Sequence, residues 1–377
     1  MKKHVLILGA GFAGLELAAR LSDSLADEVR VTLIDQNDSF TFGFSKLDVM
    51  FGRQTAADVR LRYRDISKDG VEFRHERVTA IDPAQRRVET DEGSYAADVL
   101  AIAVGAGYDI AATPGFAEGG LEYYSVAGAE RMGEVIPRFD SGRLVIAILG
   151  QPFKCPPAPF EAALLLHDHF SEQGVREAVE IRVLGPMAAP VPITAEVSHE
   201  ILKALKERDI EYVAKQLVVG LDAGGRRARL AGGDDVAYDM FVGIPIHRVP
   251  EVIESSGLAV DGWVPVDKAN LKTRFRGVYA LGDVASTPNA KAGVFAEAAA
   301  RVVADDIAAT LSGGELERPY QGAGHCYIEF GGGRVGKVEA NFFGGPKPTA
   351  RLVGPSRELA GEKEAFASSR RERWFGS

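Results

Sequence analysis

The sequence has little cysteine: Cys155 and Cys326 are the only two among 377 residues. Two thiols do not make a secreted disulfide scaffold, and they are too few for an all-cysteine zinc site. As a bare count they read as two unrelated buried thiols. Positive charge is not in excess either. The formal net charge is -9, which removes any electrostatic case for nucleic acid. No apolar run reaches the roughly 18 residues that a membrane-spanning helix needs. Lys2 and Lys3 stand before an apolar stretch as in a secretion signal, but no convincing cleavage region follows, and that stretch carries a different motif. A cytoplasmic protein is expected, with peripheral contact at a membrane and a homodimer left open. Hydrophobic content of 46% is ordinary for a soluble globular chain, and the length implies two or three domains.

What is present is concentrated at the start. Val5-Leu6-Ile7-Leu8 runs directly into Gly9-Ala10-Gly11-Phe12-Ala13-Gly14, and Leu15, Leu17, Ala18, Ala19 and Leu21 follow at helical spacing. This is strand, tight turn, helix. Gly9 permits the turn, Gly11 lets backbone approach a pyrophosphate, and Gly14 lets helix and strand pack closely. The helix N-terminus offers free N–H groups and a positive dipole end to phosphates. Val31-Thr32-Leu33-Ile34-Asp35 then reads as a second strand ending in an acid, followed by Gln36. The Asp35 carboxylate suits a ribose diol. Glycines, helix and acid together predict dinucleotide binding.

Further along, Val71–Arg74, Arg77–Asp82, Arg87–Thr90 and the residues from Tyr95 read as a small antiparallel insert. Val99 to Val104 is a continuous apolar run, as a parallel strand covered on both faces requires. It passes through Ala103 and ends in Gly105-Ala106-Gly107, small enough to leave space for a cofactor. Arg143 to Gly150 opens a second β-α-β unit. Its turn is not glycine-rich but reads Gln151-Pro152-Phe153-Lys154-Cys155-Pro156-Pro157-Ala158-Pro159. Prolines remove backbone donors, so this turn is poorly suited to a pyrophosphate. Thr194 to Arg208 is an amphipathic helix, and strands are expected over Tyr212–Asp222, Arg227–Leu230 and Val236–Val242. His167 and His169, two apart on a helix, face different sides and read as structural or solvated. Val278-Tyr279-Ala280-Leu281-Gly282-Asp283 places an acid at a strand's carboxyl end, where it suits a polyol chain. An Ala-rich helix follows from about Val294 to Thr310, and its positive N-terminus suits a reduced flavin. Beyond a Ser312-Gly313-Gly314 hinge, His325–Phe330 and Val335–Phe342 read as a hairpin. Ser356–Phe375 reads as a charged helix whose apolar residues dock on its own chain or on a partner rather than on a membrane.

The expected class is therefore α/β, with two Rossmann-like dinucleotide-binding domains and a small C-terminal α+β region. The boundaries are 1–108 and 263–312 for the first domain, 109–262 for the second and 313–377 for the tail. The order of these parts resembles the two-domain flavoproteins related to disulfide reductases. Within that superfamily, Pro152 to Glu161 resembles the cysteine segment of sulfide:quinone oxidoreductases and of the flavoprotein subunits of flavocytochrome c sulfide dehydrogenases. His325-Cys326-Tyr327 resembles the segment of their second cysteine. The resemblance implies FAD held at Gly9, Gly11, Gly14, Asp35 and Asp283, with Lys291 near the flavin and the Val78 backbone near the adenine. It also implies that Cys155 and Cys326 form a sulfur-handling redox pair.

No cysteine lies between Phe40 and Phe51, where flavocytochrome relatives attach FAD, so FAD is expected to be noncovalent. There is no third working cysteine, and the tail is short and charged. The expected activity is oxidation of a small sulfur donor, sulfide, with electrons passing through FAD to a quinone or a cytochrome. That chemistry needs a thiolate, hence a lowered cysteine pKa, with Lys154 and His325 as the nearest sources in sequence. Two alternatives stand beside it. One is an NAD(P)H-dependent flavin reductase acting on a quinone or a ferredoxin-like partner, and the other is a flavin-binding protein with inert thiols. No metal site is expected.

Overall fold

A computed structural model of the chain describes residues 2–376. The first strand, Lys3–Leu8, is the middle of a five-stranded sheet ordered Val278–Ala280, Val99–Ile102, Lys3–Leu8, Val29–Asp35, Val71–His75. Every pairing in it is parallel. Leu6, Ile7 and Leu8 have no exposed surface, as expected of a strand sandwiched between helical layers. The helices Phe12–Leu25 and Gly293–Leu311 pack against each other on one face. The chain thus leaves this sheet after Val99–Ile102 and returns to it at Val278–Ala280.

Between these visits it builds a second parallel sheet, ordered Ile210–Ala214, Val179–Gly185, Gly142–Ile148, Met240–Ile244. Helices Ala158–Glu172 and Ala195–Lys206 belong to this half. Each parallel sheet carries a three-stranded antiparallel satellite, Val78–Asp82 to Ala96 in one case and Val218–Asp222 to Ala237 in the other. Two Rossmann-type sheets with an α+β tail are the expected class.

Three sequence readings are corrected. Val71–His75 is not part of the antiparallel insert but pairs in parallel with Val29–Asp35 at the sheet edge. Its exposed alternate residues gave it an antiparallel look. Tyr212–Asp222 is two strands in different sheets, Ile210–Ala214 and Val218–Asp222. The C-terminal hairpin gains a third strand, Thr349–Ser356, on Val335–Asn341. Gly354 and Pro355 disguise that strand, and an edge position tolerates both.

The last helix, Glu358–Phe375, returns to the first half of the molecule. Leu359, Phe366, Trp374 and Phe375 are all buried, so its apolar residues are occupied by its own chain. Among the described residues no helix is long and apolar enough to cross a membrane.

Candidate active site

A cavity of about 460 Å³ lies at the carboxyl ends of the first sheet's strands. Ligands of open α/β sheets settle there, where the strand order reverses. Gly9, Gly11, Phe12, Ala13, Asp35, Ala103, Gly105, Gly282, Asp283 and Lys291 all border it, as do Cys155 and Cys326. Gln36, Gly14 and Val78 do not. Gln36 is exposed, with its carbonyl facing the His75 ring. Val78 begins a satellite strand. For these two the structure gives no support to a cofactor contact.

The three motif glycines do different work. Gly9 has φ +97°, and a Cβ there would lie 2.5 Å from the Ala103 carbonyl oxygen. A Cβ on Gly14 would lie 1.9 Å from the Gly9 carbonyl oxygen. That is the close helix–strand contact. Gly11 is unlike both, because its Cβ would meet nothing within 4 Å. It begins the helix Phe12–Leu25, whose N-terminus no side chain caps. This open cradle of free N–H groups fits a pyrophosphate. Asp35 closes the other side. Its carboxylate accepts the Ala10 N–H at 2.7 Å and the Asn37 N–H at 2.8 Å. The helix Gly293–Leu311 also starts without a side-chain cap, beside Gly282 and Asp283. Phosphate cradle, diol acceptor and second helix terminus together fit FAD.

These glycines make a paired prediction. Gly14→Val forces backbone apart and is expected to cost about 2 kcal/mol or more, lowering the thermal midpoint of the apoprotein. Gly11→Val fills only the cradle. It is expected to leave that midpoint unchanged and to lower FAD retention at least tenfold, read by equilibrium dialysis. Equal FAD affinity in Gly11→Val and wild type would remove the pyrophosphate assignment.

The second half contributes Cys155. Its residue is held at φ +51°, a left-handed conformation that costs a non-glycine residue roughly 1–2 kcal/mol. Such strain persists where surrounding contacts over-determine it, and here they do. The Cys155 N–H donates to the Lys291 carbonyl at 2.8 Å, and the Cys155 carbonyl accepts from Ala158 N–H at 2.9 Å. The Tyr124 hydroxyl donates to the Lys154 carbonyl at 3.0 Å. His247 Nδ1 lies 2.7 Å from the Pro245 carbonyl, so Nδ1 carries the proton and Nε2 accepts the Lys154 N–H at 3.3 Å. The strained turn is thereby stitched to the first sheet's chain at Lys291.

The same stitching occupies backbone donors at the start of the following helix. The N–H groups of Ala158, Phe160 and Glu161 are taken by the Cys155 and Pro157 carbonyls, and Pro157 and Pro159 have none to give. The Lys154 ammonium reaches the Ala106 carbonyl at 2.5 Å and lies 4.6 Å from the centre of the Tyr108 ring.

Cys326 lies on the strand Ala323–Glu329. Both cysteines are free thiols facing the cavity. The expected lowering of a thiol pKa is not found. Burial pushes Cys155 well above the usual range and Cys326 up to about 12, with the Glu161 carboxylate adding to the shift in each case. Lys154 spends its ammonium on Ala106 and Tyr108, while His325 is itself driven towards neutrality by burial.

Two polar residues at this site were not singled out from sequence. Glu161 is 4% exposed and lines the same cavity. Its carboxylate accepts the Glu329 N–H at 2.7 Å. Burial raises its pKa to about 7, against the pull of Lys363. Lys363, from the last helix, pairs with the Glu329 carboxylate, which Arg53 also approaches at 3.3 Å. The other is Lys46, whose ammonium donates to the Tyr124 carbonyl and whose pKa is lowered by burial. The signal for Glu161 was an unpaired acid inside the apolar run Pro159 to Leu166.

The cavity's aromatic end is built from Phe12, Phe40, Phe44, Tyr327 and Phe366. Trp374 packs edge-on against Phe12 at 5.5 Å and Phe40 at 5.7 Å, an arrangement that matches the ring quadrupoles. Trp374 Nε1 donates to Glu16 at 2.9 Å, and Arg373 and Arg301 reach the same carboxylate at 2.7 and 3.2 Å. The last helix is thus tied to the helix that the glycine turn begins.

Comparison with known proteins places the fold and the family. The chain is 23% identical over 370 residues to the mitochondrial sulfide:quinone oxidoreductase of Mus musculus, covering 92% of this chain and 80% of the mouse protein. A shorter match, 37% over 106 residues, links it to the type II NADH:quinone oxidoreductase of Staphylococcus epidermidis, covering 28% of this chain and 26% of that one. Among solved structures, the sulfide:quinone oxidoreductase of Aquifex aeolicus superposes with a TM-score of 0.87 at 20% identity, over 98% of this chain and 92% of that chain. An NAD-dependent persulfide reductase from A. fulgidus gives a TM-score of 0.67 at 20% identity, over 89% and 64% of the two chains. The family model for pyridine nucleotide-disulphide oxidoreductases matches residues 3–147 and 160–301, most of both sheets, and the chain belongs to that family of oxidoreductases.

Proposed function

We propose that the protein is an FAD-dependent enzyme that oxidises sulfide through Cys155 and Cys326 and delivers the electrons to a quinone or a cytochrome. The observation that carries this reading is that two thiols 171 positions apart in sequence border the one cavity built by the glycine turn. The mouse and Aquifex relatives support sulfide as donor and quinone as acceptor.

FAD bound in this cavity would supply the two-electron acceptor. The remaining chemistry falls to the chain. In the oxidised pair, undissociated hydrogen sulfide attacks the Cys326 sulfur while the Glu161 carboxylate takes one of its two protons. The new S–S bond forms as the Cys155–Cys326 bond breaks, leaving a persulfide on Cys326 and a thiolate on Cys155. A thiolate in so desolvated a place requires a nearby proton acceptor and donor to manage its charge. Glu161, with its pKa near neutrality, is matched to that task. Lys154 and Tyr124 hold the Cys155 turn in place, and the prolines exclude a nicotinamide.

The test is anaerobic mixing of the FAD-loaded protein with sulfide and, separately, with NADH. Sulfide is expected to bleach the flavin absorbance and NADH to leave it. Bleaching by NADH and not by sulfide would overturn the proposal in favour of a flavin reductase. A soluble quinone analogue and a cytochrome c, added after bleaching, then identify the acceptor class by which one restores the colour.

Glu161→Gln preserves shape and removes the titration. The rate of bleaching by sulfide is expected to fall roughly 10²–10⁴-fold. In the wild type that rate, compared at a fixed concentration of undissociated hydrogen sulfide, should rise with pH through about 7, as the Glu161 carboxylate becomes available to take a proton. The variant should lack that limb. A Glu161→Gln enzyme with the wild-type pH profile would show that the proton goes elsewhere.

A further inference from the structure

Glu161 does not stand alone. Its carboxylate accepts the N–H of Glu329, which ends the strand that carries Cys326. The Glu329 carboxylate is held in turn by two cations. Lys363 reaches it from the last helix, and Arg53 reaches it at 3.3 Å from the segment after the helix Ser45–Met50. Arg53 also faces Asp48 at 3.5 Å. Three parts of the chain thus meet here: Asp48 and Arg53 of the first half, Glu161 of the second, and Glu329 and Lys363 of the tail.

The charges of this cluster do not cancel. Among the described residues it sets three carboxylates, Glu161, Glu329 and Asp48, against two cations, Lys363 and Arg53. Around Glu161, burial keeps the thiols of Cys155 and Cys326 and the hydroxyls of Tyr123 and Tyr124 protonated and uncharged. A buried charge without a partner is strongly disfavoured, so the cluster is neutral only with one proton on its carboxylates. That proton belongs on Glu161, whose burial favours the neutral form. Against its own burial, Glu329 is held as a carboxylate by Lys363 and Arg53. Burial raises Asp48 too, but its side chain is 30% exposed. Exposure also marks the way out. Glu161 is 4% exposed, the Glu329 side chain 17% and the Arg53 side chain 45%. The cluster therefore runs from the cysteine cavity to water.

We propose that Glu161, Glu329 and Asp48, set among Lys363 and Arg53, form one proton store that takes a proton from the attacking sulfide at Glu161 and hands it to solvent at the Arg53 end. The assignment rests on the sulfide-oxidation reading above and adds the proton's destination to it. In the first transfer an S–H bond breaks and an O–H bond forms on Glu161, and the electron pair of the broken bond stays on sulfur. In the second the proton passes to a Glu329 carboxylate oxygen and then to water, and Glu161 is a carboxylate again. Only a proton moves in either transfer, so neither needs an oxidant or a reductant. Lys363 and Arg53 are positioning residues: their charges keep Glu329 ionised and ready to receive.

Infrared difference spectroscopy of the protein, with and without FAD, reads the carbonyl stretch of a neutral carboxyl. In the wild type one such carboxyl is expected to disappear as the pH rises through about 7. Glu329→Gln leaves two carboxylates for two cations and is expected to move that titration down by about one pH unit or more. Lys363→Met leaves three for one and is expected to move it up by a similar amount. Bleaching by sulfide, compared at a fixed concentration of undissociated hydrogen sulfide, should show the same opposite displacements, which a packing role would not produce. Asp48→Asn, at the wetter end of the cluster, should move the titration in the direction of Glu329→Gln and serves if that variant does not fold. Transfer to solvent is read in repeated turnover with the acceptor that restores the colour. In dilute buffer Glu329→Gln is expected to turn over roughly tenfold or more slower than wild type, and to recover as formate, a mobile carboxylate, is added. Titrations that do not move in opposite directions, or a slow Glu329→Gln turnover that formate leaves unchanged, would overturn the assignment. A wild type that sulfide does not bleach removes the sulfide reading and this assignment together. Bleaching without the opposite displacements removes the proton store alone.

Discussion

Cys155→Ser and Cys326→Ser are each expected to abolish the bleaching of bound FAD by sulfide, with a loss on the order of 10⁴ or more, the scale on which removing a nucleophile acts. A hydroxyl can neither accept a sulfur atom by exchange nor leave as a stable anion in so desolvated a place. Both variants should retain FAD, because neither residue belongs to the glycine turn, the Asp35 strand end or the Gly282–Asp283 turn. Serine is also the conservative choice for the backbone. Cys155 sits at φ +51°, fixed by the bonds of its own N–H and carbonyl to Lys291 and Ala158, and these survive the exchange of sulfur for oxygen. The measurement is stopped-flow absorbance beside the flavin-to-protein ratio. Either variant turning over within tenfold of wild type, with FAD bound, would mean that the two thiols are packing residues.

The second large effect is structural. Glu16→Ala is expected to destabilise the protein by about 3 kcal/mol. Glu16 is 1% exposed and accepts from Trp374, Arg373 and Arg301. Removing it strands the indole N–H, since Trp374 is itself 1% exposed. The two guanidinium groups reach solvent in part, which keeps the loss in the lower part of the range for a broken buried pair. Glu16→Gln should cost less, because the amide oxygen still accepts from the indole. Trp374→Phe in the Glu16→Ala background should add much less than it does alone, as expected of two residues sharing one interaction. The readout is the denaturant midpoint at constant slope. A Glu16→Ala protein within about 0.5 kcal/mol of wild type, the ordinary scatter of surface substitutions, would show that the last helix is held by its apolar residues alone.

How much of this was legible in the sequence differs by kind of signal. Strand Lys3–Leu8, its glycine turn and the helix beyond were readable because each residue there answers to a local rule. Apolar residues are continuous where both faces are covered, and Gly14 stands where a Cβ cannot fit. The Cys155 turn was readable by contrast, through prolines where glycines would bind a nucleotide. Two features were not readable from local rules. The convergence of Cys155 with Cys326 was expected only from the resemblance of their segments to a known family, because it depends on how the tail's sheet docks, which no local rule encodes. The thiol pKa values were expected to fall because Lys154 and His325 are adjacent in sequence, yet adjacency along a strand or turn sends neighbouring side chains in different directions. Glu161 and Glu16 share an overlooked signature: each is a single acid in an otherwise apolar helical stretch. Both are buried with partners from the C-terminal region, Glu329 in one case and Arg373 and Trp374 in the other.

The tie between Glu16 and Trp374 spans 358 positions, so the buried acid of the helix that the glycine turn begins finds its partners at the far end of the chain. A chain cut short before Arg373 is expected to leave that carboxylate with Arg301 alone, and to lose stability on the scale of the Glu16→Ala variant.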